Sequence, residues 1–279
     1  MRIPLRSVSA TGAAVVAAVV LSGVVPSSAV AAPRWAPAAS ATVHPGVVTD
    51  TAGGQCTSNF VFTGSDGSVY LGQAAHCAGT GAATETDGCG AGSLPLGTPV
   101  AVDGATRPGE LVYSSWRAMQ ARGETDPGTC AFNDLALVRI DPADVGRVNP
   151  SVPYWGGPTG LGAGSTAAGD LVYSYGNSPL RQGVSALSPK QGASLGDDGN
   201  GWSHTVLTLT PGVPGDSGSA FLDANGRAIG VLATLALLPV PTSNGVGDLP
   251  RELAYAQRTS GIDGLQLALG TEPFQPPLL

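Results

Sequence analysis

Hydrophobic positions along this chain come in bursts of four to eight residues, separated by clusters of Gly, Pro, Asn and Asp. Few bursts run at the helical period, and most carry the β-branched and aromatic residues that suit a pleated surface. Residues 58–62 and 68–71 flank Gly64-Ser65-Asp66-Gly67, which predicts a β-hairpin. Further strands are predicted at 98–102, 110–113, 135–140, 171–175, 204–209, 219–222 and 228–235. One helix is predicted, near the end: Asp248 can cap it, Pro250 sits in its first turn, and Leu253, Ala254 and Ala256 lead to a stop at Gly261. The class is all-β with a late helix, and no internal repeat is visible.

The ends read differently. Arg2 and Arg6 precede an apolar run over 13–25, broken by Pro26, with Ala29-Val30-Ala31 as a small-x-small cleavage site. That run is too short for a membrane span, so residues 1–31 are expected to be a signal peptide and the protein to be secreted, with no lasting membrane association. Residues 32–54, rich in Ala and Pro, read as a flexible leader, and 271–279, with three prolines, as an extended tail. The Gly/Pro-rich stretch 149–164 suits a linker between two halves.

Composition narrows the function. The chain has 41 Gly and 23 Pro among 279 residues and a net charge of −7, and Lys190 is its one lysine. No basic run exists to build a nucleic-acid face, so nucleic acid is not an expected partner. Four cysteines, Cys56, Cys77, Cys89 and Cys130, suit disulfides in an exported protein. They lack a C-x-x-C spacing and the three histidines do not cluster with them, so no metal and no cofactor is expected. Three pairings are open to four cysteines, and spacing leaves the choice open.

Three short blocks carry the chemistry: Gln73-Ala74-Ala75-His76-Cys77, Asn133-Asp134-Leu135-Ala136-Leu137 and Pro214-Gly215-Asp216-Ser217-Gly218-Ser219. Alone, each has an ordinary reading as a structural histidine, a turn or a hairpin loop. Together they supply a nucleophile, a base and an orienting acid. A serine hydroxyl needs a base to take its proton as it attacks; His76 can do so and later return the proton, and Asp134 can hold the other ring nitrogen. The glycines around Ser217 permit a turn in which the Gly215 and Ser217 amides form an oxyanion hole. Chain order excludes an α/β-hydrolase, because no histidine follows Ser217 and the fifth position of the G-x-S-x-G elbow is Ser219.

On these blocks and their order, His76, Asp134, Ser217, at intervals of 58 and 83 residues, the chain resembles the chymotrypsin-like (trypsin-like) serine proteases, in particular their secreted bacterial branch. The resemblance runs from about Gln55 to Gly261. It implies two six-stranded antiparallel β-barrels: 55–148 with His76 and Asp134, and 149–270 with Ser217 and the C-terminal helix. It also implies the pair Cys56–Cys77, which leaves Cys89–Cys130. The expected activity is that of a monomeric serine endopeptidase acting on protein or peptide through an acyl-enzyme.

Departures from the family pattern have consequences. The second barrel has no cysteine, and no Ile-Val-Gly-Gly-like start is present to supply an ammonium to Asp216. Asp216 then needs another cation, for which Arg181 is the candidate, or hydrogen bonds alone. The base of the specificity pocket falls at Pro211, with no acid in 207–213 and an apolar wall at 231–235, so small or medium apolar side chains are the expected preference. The alternatives are a protease-fold scaffold without turnover and an esterase working on the same triad. His204 reads as a surface or strand residue, and Trp116 and Trp155 as packing residues.

Overall fold

The computed structural model describes Met1 and residues 32–82, 85–198, 200–235 and 241–276. The expected signal peptide, beyond Met1, lies outside the described residues. No helix among those described is long and apolar enough to cross a membrane.

Seven strands form before residue 140: β1 (Val48–Thr51), β2 (Gly54–Thr57), β3 (Val61–Thr63), β4 (Val69–Ala74), β5 (Pro99–Val102), β6 (Gly109–Ser114) and β7 (Leu135–Arg139). Strand β4 and the first four residues of β7 are buried on both faces, so their sequences are nearly continuous apolar runs. Strand β5 alternates instead, with Val100 and Val102 inward and Pro99 and Ala101 outward. A short strand from the far end of the chain, Gln266–Leu267, pairs with β3. The resulting antiparallel sheet has eight strands, running from that short strand through β3-β4-β7-β6-β5-β1-β2.

The order puts β2 five positions from β4. In a flat sheet, at the usual spacing, they would lie roughly 24 Å apart. Yet Cys56 on β2 is bonded to Cys77, just past β4, with a Cα–Cα distance of 6.1 Å. The sheet is therefore curled almost onto itself. Two helices join this unit: α1 (Ser115–Arg122), which buries Trp116 and Met119 and ends at Gly123 with φ 63°, and α2 (Pro127–Phe132), capped by Asp126.

The second unit holds β8 (Leu171–Tyr175), β9 (Pro189–Asp198), β10 (Ser203–Leu209), β11 (Ala220–Asp223), β12 (Ala228–Leu235) and β13 (Asn244–Asp248). These six close into an antiparallel barrel, β10-β13-β12-β11-β8-β9. Helix α3 (Leu249–Thr259) follows, with the Asp248 carboxylate accepting the Arg251 N–H at 2.9 Å, and β14 (Gln266–Leu267) is the short strand already met. One apolar cluster runs through both units, joining Phe60 and Leu137 to Tyr173, Val231, Leu249 and Leu253. The all-β class, its two antiparallel bodies and the late helix are as expected; the first body is one curled eight-stranded sheet.

The segment read as a flexible leader is ordered and packed from its middle onward. Val43 and Val47 are buried, 48–51 is a strand, and the Ala36 N–H bonds the Val148 carbonyl at 2.9 Å. The Ala/Pro-rich texture masked two valines that supply the contact. The Gly/Pro-rich connection from 149 onward is also packed, with Trp155 buried and its indole N–H donating to Ser174 O at 2.7 Å. The tail up to residue 276 has no regular structure past β14, and Phe274 packs edge-on against Tyr173.

Candidate active site

His76 and Asp134 meet because of strand register. Ala74 at the end of β4 pairs with Leu135 at the start of β7, so the residues just beyond this pair face each other. His76 sits in a 3-10 turn over Ala75–Ala78. Asp134 holds that turn three ways: its carbonyl accepts the Ala75 N–H at 2.7 Å, Oδ1 accepts the His76 N–H at 2.8 Å, and Oδ2 lies 2.6 Å from His76 Nδ1. Ring and carboxylate are thus fixed relative to one another with Nε2 left over. Burial works against a charged ring, but the Asp134 carboxylate outweighs it and holds the His76 imidazole above its ordinary value.

Ser217 stands in the loop between β10 and β11. Gly215 and Gly218 both have positive φ, 94° and 89°, which glycine alone adopts freely. At Gly218 a Cβ would also come within 2.4 Å of Thr57 O. The loop is docked on the first unit there: Thr57 N–H donates to Ser217 O at 2.8 Å and Thr57 Oγ to Gly215 O at 2.7 Å. That contact places Ser217 on the same cleft as His76 and Asp134, a groove of about 580 Å³ between the two units. The Gly215 and Ser217 amides bond no partner among the described residues, and neither does the Ser217 hydroxyl.

Asp216 is fully buried beneath the loop. Its carboxylate accepts the Ser178 and Val213 N–H groups at 3.0 and 3.1 Å and pairs with Arg181 and with Lys190, the latter at 2.9 Å. Burial alone would raise the Asp216 carboxyl, but Arg181 and Lys190 hold it below the ordinary range. Lys190 is pushed below the usual lysine value, by burial first. Arg181 is the cation expected from sequence. Lys190 was missed, although it stood out as the one lysine of the chain.

Pro211, which the resemblance puts at the base of a specificity pocket, lies next to the two cations. Pro211 offers only its carbonyl, which Arg181 and Lys190 both reach. Buried Asn244, also missed, clamps two walls together: Oδ1 accepts Gly212 N–H at 2.8 Å, and Nδ2 donates to the carbonyls of Gly212 and Thr234, each at 3.2 Å. A Cβ on Gly212 would meet Leu232 Cδ1 at 2.5 Å, so the walls stand close and one of them is apolar. Both expected disulfides, Cys56–Cys77 and Cys89–Cys130, are present. His204 is a fully buried residue of β10 whose Nε2 lies 3.0 Å from Asp248, and Trp116 and Trp155 pack in the interior.

The sequence profile of the trypsin-like peptidase domain matches residues 61–231, a span holding all three blocks. The chain belongs to that family. It is a serine peptidase of chymotrypsin-like fold. Among solved structures, protease A of Thermobifida fusca is similar over 82% of this chain and 99% of its own, at 18% identity and TM-score 0.50. A glutamic acid specific serine protease, described as using a histidine triad in substrate binding, is similar over 81% of this chain and 100% of its own, at 16% identity and TM-score 0.50. At these identities the likeness is one of fold. No curated protein sequence matches the peptidase.

Proposed function

We propose that this serine peptidase is a secreted endopeptidase that uses Ser217 as nucleophile, His76 as general base and Asp134 as the acid that orients it. One observation carries the reading: the Asp134–His76 pair, closed at 2.6 Å on Nδ1, with Ser217 on the same cleft. In this mechanism Ser217 Oγ attacks the scissile carbonyl while His76 Nε2 takes its proton. The C–N bond then breaks as His76 returns that proton to the leaving amine. Water, deprotonated by the same ring, hydrolyses the acyl-enzyme. Asp134 keeps the proton on Nδ1 and stabilises the imidazolium. The Gly215 and Ser217 amides, without other partners among the described residues, suit the oxyanion.

The narrow pocket with Leu232 in its wall and no acid at its base supports cleavage after small or medium apolar residues. The basic start, the apolar run after it and the two disulfides support secretion.

Intact mass before and after a fluorophosphonate probe tests the core of this. A single adduct on the natural sequence and none on Ser217→Ala is the expected result. A folded protein without an adduct would favour a scaffold. Peptide substrates then sort the preference: best turnover after Arg would refute the apolar pocket. Because Asp134 holds the His76 ring above the ordinary value of 6.5, hydrolysis should fall on acidification from a higher pH than a free imidazole would give.

A further inference from the structure

Behind Asp134, on the side away from His76, lies a carboxyl group that the catalytic scheme does not use. Glu252 is in the first turn of α3, where an acidic residue ordinarily faces solvent and complements the helix dipole. Here its side chain is fully buried. Its Oε1 accepts the backbone N–H of Asp134 at 2.9 Å, while Oε2 is buried without a partner among the described residues. A Cβ on Gly247 would come within 2.5 Å of Oε1, so the carboxyl fills the space the glycine leaves.

We propose that Glu252 is a positioning residue: a neutral carboxylic acid on the C-terminal helix that fixes the Asp134 main chain, and through it the His76 ring. This rests on Asp134 being the triad's acid. The case is geometric first. Asp134 has its carbonyl and both carboxylate oxygens committed to the turn carrying His76, so its N–H is the remaining handle on its backbone. That handle is held from the other half of the molecule.

Neutrality follows from the surroundings. The ionisable groups facing Glu252 are Asp134 at the mouth of β7, Asp248 at the end of β13 and Tyr113 on β6, none of them a cation. Asp248 has its own partners in His204 and the Arg251 N–H, whereas Glu252 has no counter-charge among the described residues. A buried carboxylate without one is too costly to persist. Burial, reinforced by the charges of Asp134 and Asp248, raises the carboxyl well above its ordinary value, and the single Asp134 N–H does not reverse that.

Glu252→Met removes the acceptor at similar length, and Glu252→Gln restores it without a titratable group. Rates are taken per active site, counted with the fluorophosphonate probe. Glu252→Met should lower kcat by roughly tenfold with KM changed less than about twofold, the scale of a buried donor left unpaired. Glu252→Gln should recover kcat and keep the acid limb of the pH profile. A Met variant with full kcat overturns the proposal. So does a Gln variant whose acid limb moves down, because that would mean the natural side chain is an anion. Asp134→Asn in parallel separates the two readings: a fully active Asp134→Asn overturns the triad assignment, whereas an inactive one beside an unaffected Glu252→Met overturns only this inference. A measurement needing no variant is the Glu252 carboxyl carbon resonance, expected to stay at its protonated position over the pH range in which the enzyme works. Titration inside that window also overturns the proposal.

Discussion

The two halves of the cleft hold the loops that carry His76, Asp134 and Ser217 by different chemistry. On the first unit, covalent bonds do it: Cys77 next to His76 is tied to Cys56, and Cys130, four residues before Asp134, is tied to Cys89. On the second unit no cysteine exists, and the Ser217 loop is held by a buried carboxylate between two buried cations. A disulfide acts mainly on the unfolded chain, by shrinking its freedom. A buried ion cluster acts on the folded loop itself and fails badly if any one charge is left alone. The first device should therefore set how hard the protein is to unfold. The second should set both stability and the shape of the Ser217 turn.

The sharpest way to break this comparison is Asp216→Asn, which strands Arg181 and Lys190 without their anion. Stability should fall by about 3–5 kcal/mol, the usual cost of an orphaned buried charge. Peptide hydrolysis should be almost abolished, because the Val213 and Ser178 N–H contacts that shape the loop weaken together. Urea unfolding and initial rates read the two effects. The sign with pH follows. Asp216 is held ionised below 3.8, so its contribution is present above that value and is lost as pH falls beneath it. Asp216→Asn should lose that acid slope. A variant that keeps its activity would mean that the glycines and Thr57 alone define the turn.

A step below in stability, and far below in activity, stands replacement of Cys89 and Cys130 together by alanine. The bridge spans 41 residues, and closing such a loop is worth roughly 3–4 kcal/mol on the chain-entropy account. Its loss should lower the free energy of unfolding, read from urea titration, by that much, while the turnover of protein that remains folded stays within about threefold, since Asp134 keeps its strand register. If turnover collapses along with stability, the bridge shapes the native site as well, and the contrast between the units disappears.

How far these features were legible in the sequence depends on whether they are written locally. The hairpin at β3–β4, strands β7, β8 and β12 and the Asp248 cap of α3 are local signals of apolar runs and turn residues, and they stand where expected. Strand β9, with Gly192, Gly196, Asp197 and Asp198, has no apolar pattern because it is a strand through its pairing with β8 and β10. Helix α1 was hidden by the apolar run of β6 that leads into it, although Gly123 after Arg122 is a stop signal. The three blocks with His76, Asp134 and Ser217, which the structure brings to one cleft, stood out because each holds an unusual set of residue types over a few positions. Glu252 was not, since an acid in a first helical turn looks like an ordinary dipole partner until the helix is seen to dock inward. Lys190 is similar: nothing near it in sequence hints that it is buried against a loop 26 residues away.

Lys190→Met sharpens the comparison most finely, by asking whether both cations under Ser217 are needed. Arg181 makes the larger set of bonds, reaching Asp216 with two nitrogens and the carbonyls of Leu187 and Pro211 as well. Lys190 adds its ion pair and two long contacts, at 3.4 Å, to Thr210 O and Pro211 O. Removing it leaves one carboxylate with one guanidinium, a balanced pair, and also removes the burial cost of an ammonium. Stability should therefore change by no more than about 1 kcal/mol, since the gain and the loss oppose each other. The difference should show in pH dependence. Burial holds Lys190 below 10.5, so the natural protein loses this cation on the alkaline side earlier than a surface lysine would, and activity should decline with it. Lys190→Met should start slightly lower and lack that decline. A loss as large as that of Asp216→Asn would instead mean that Asp216 requires two positive charges to stay ionised, and that the second unit's fastening has no redundancy.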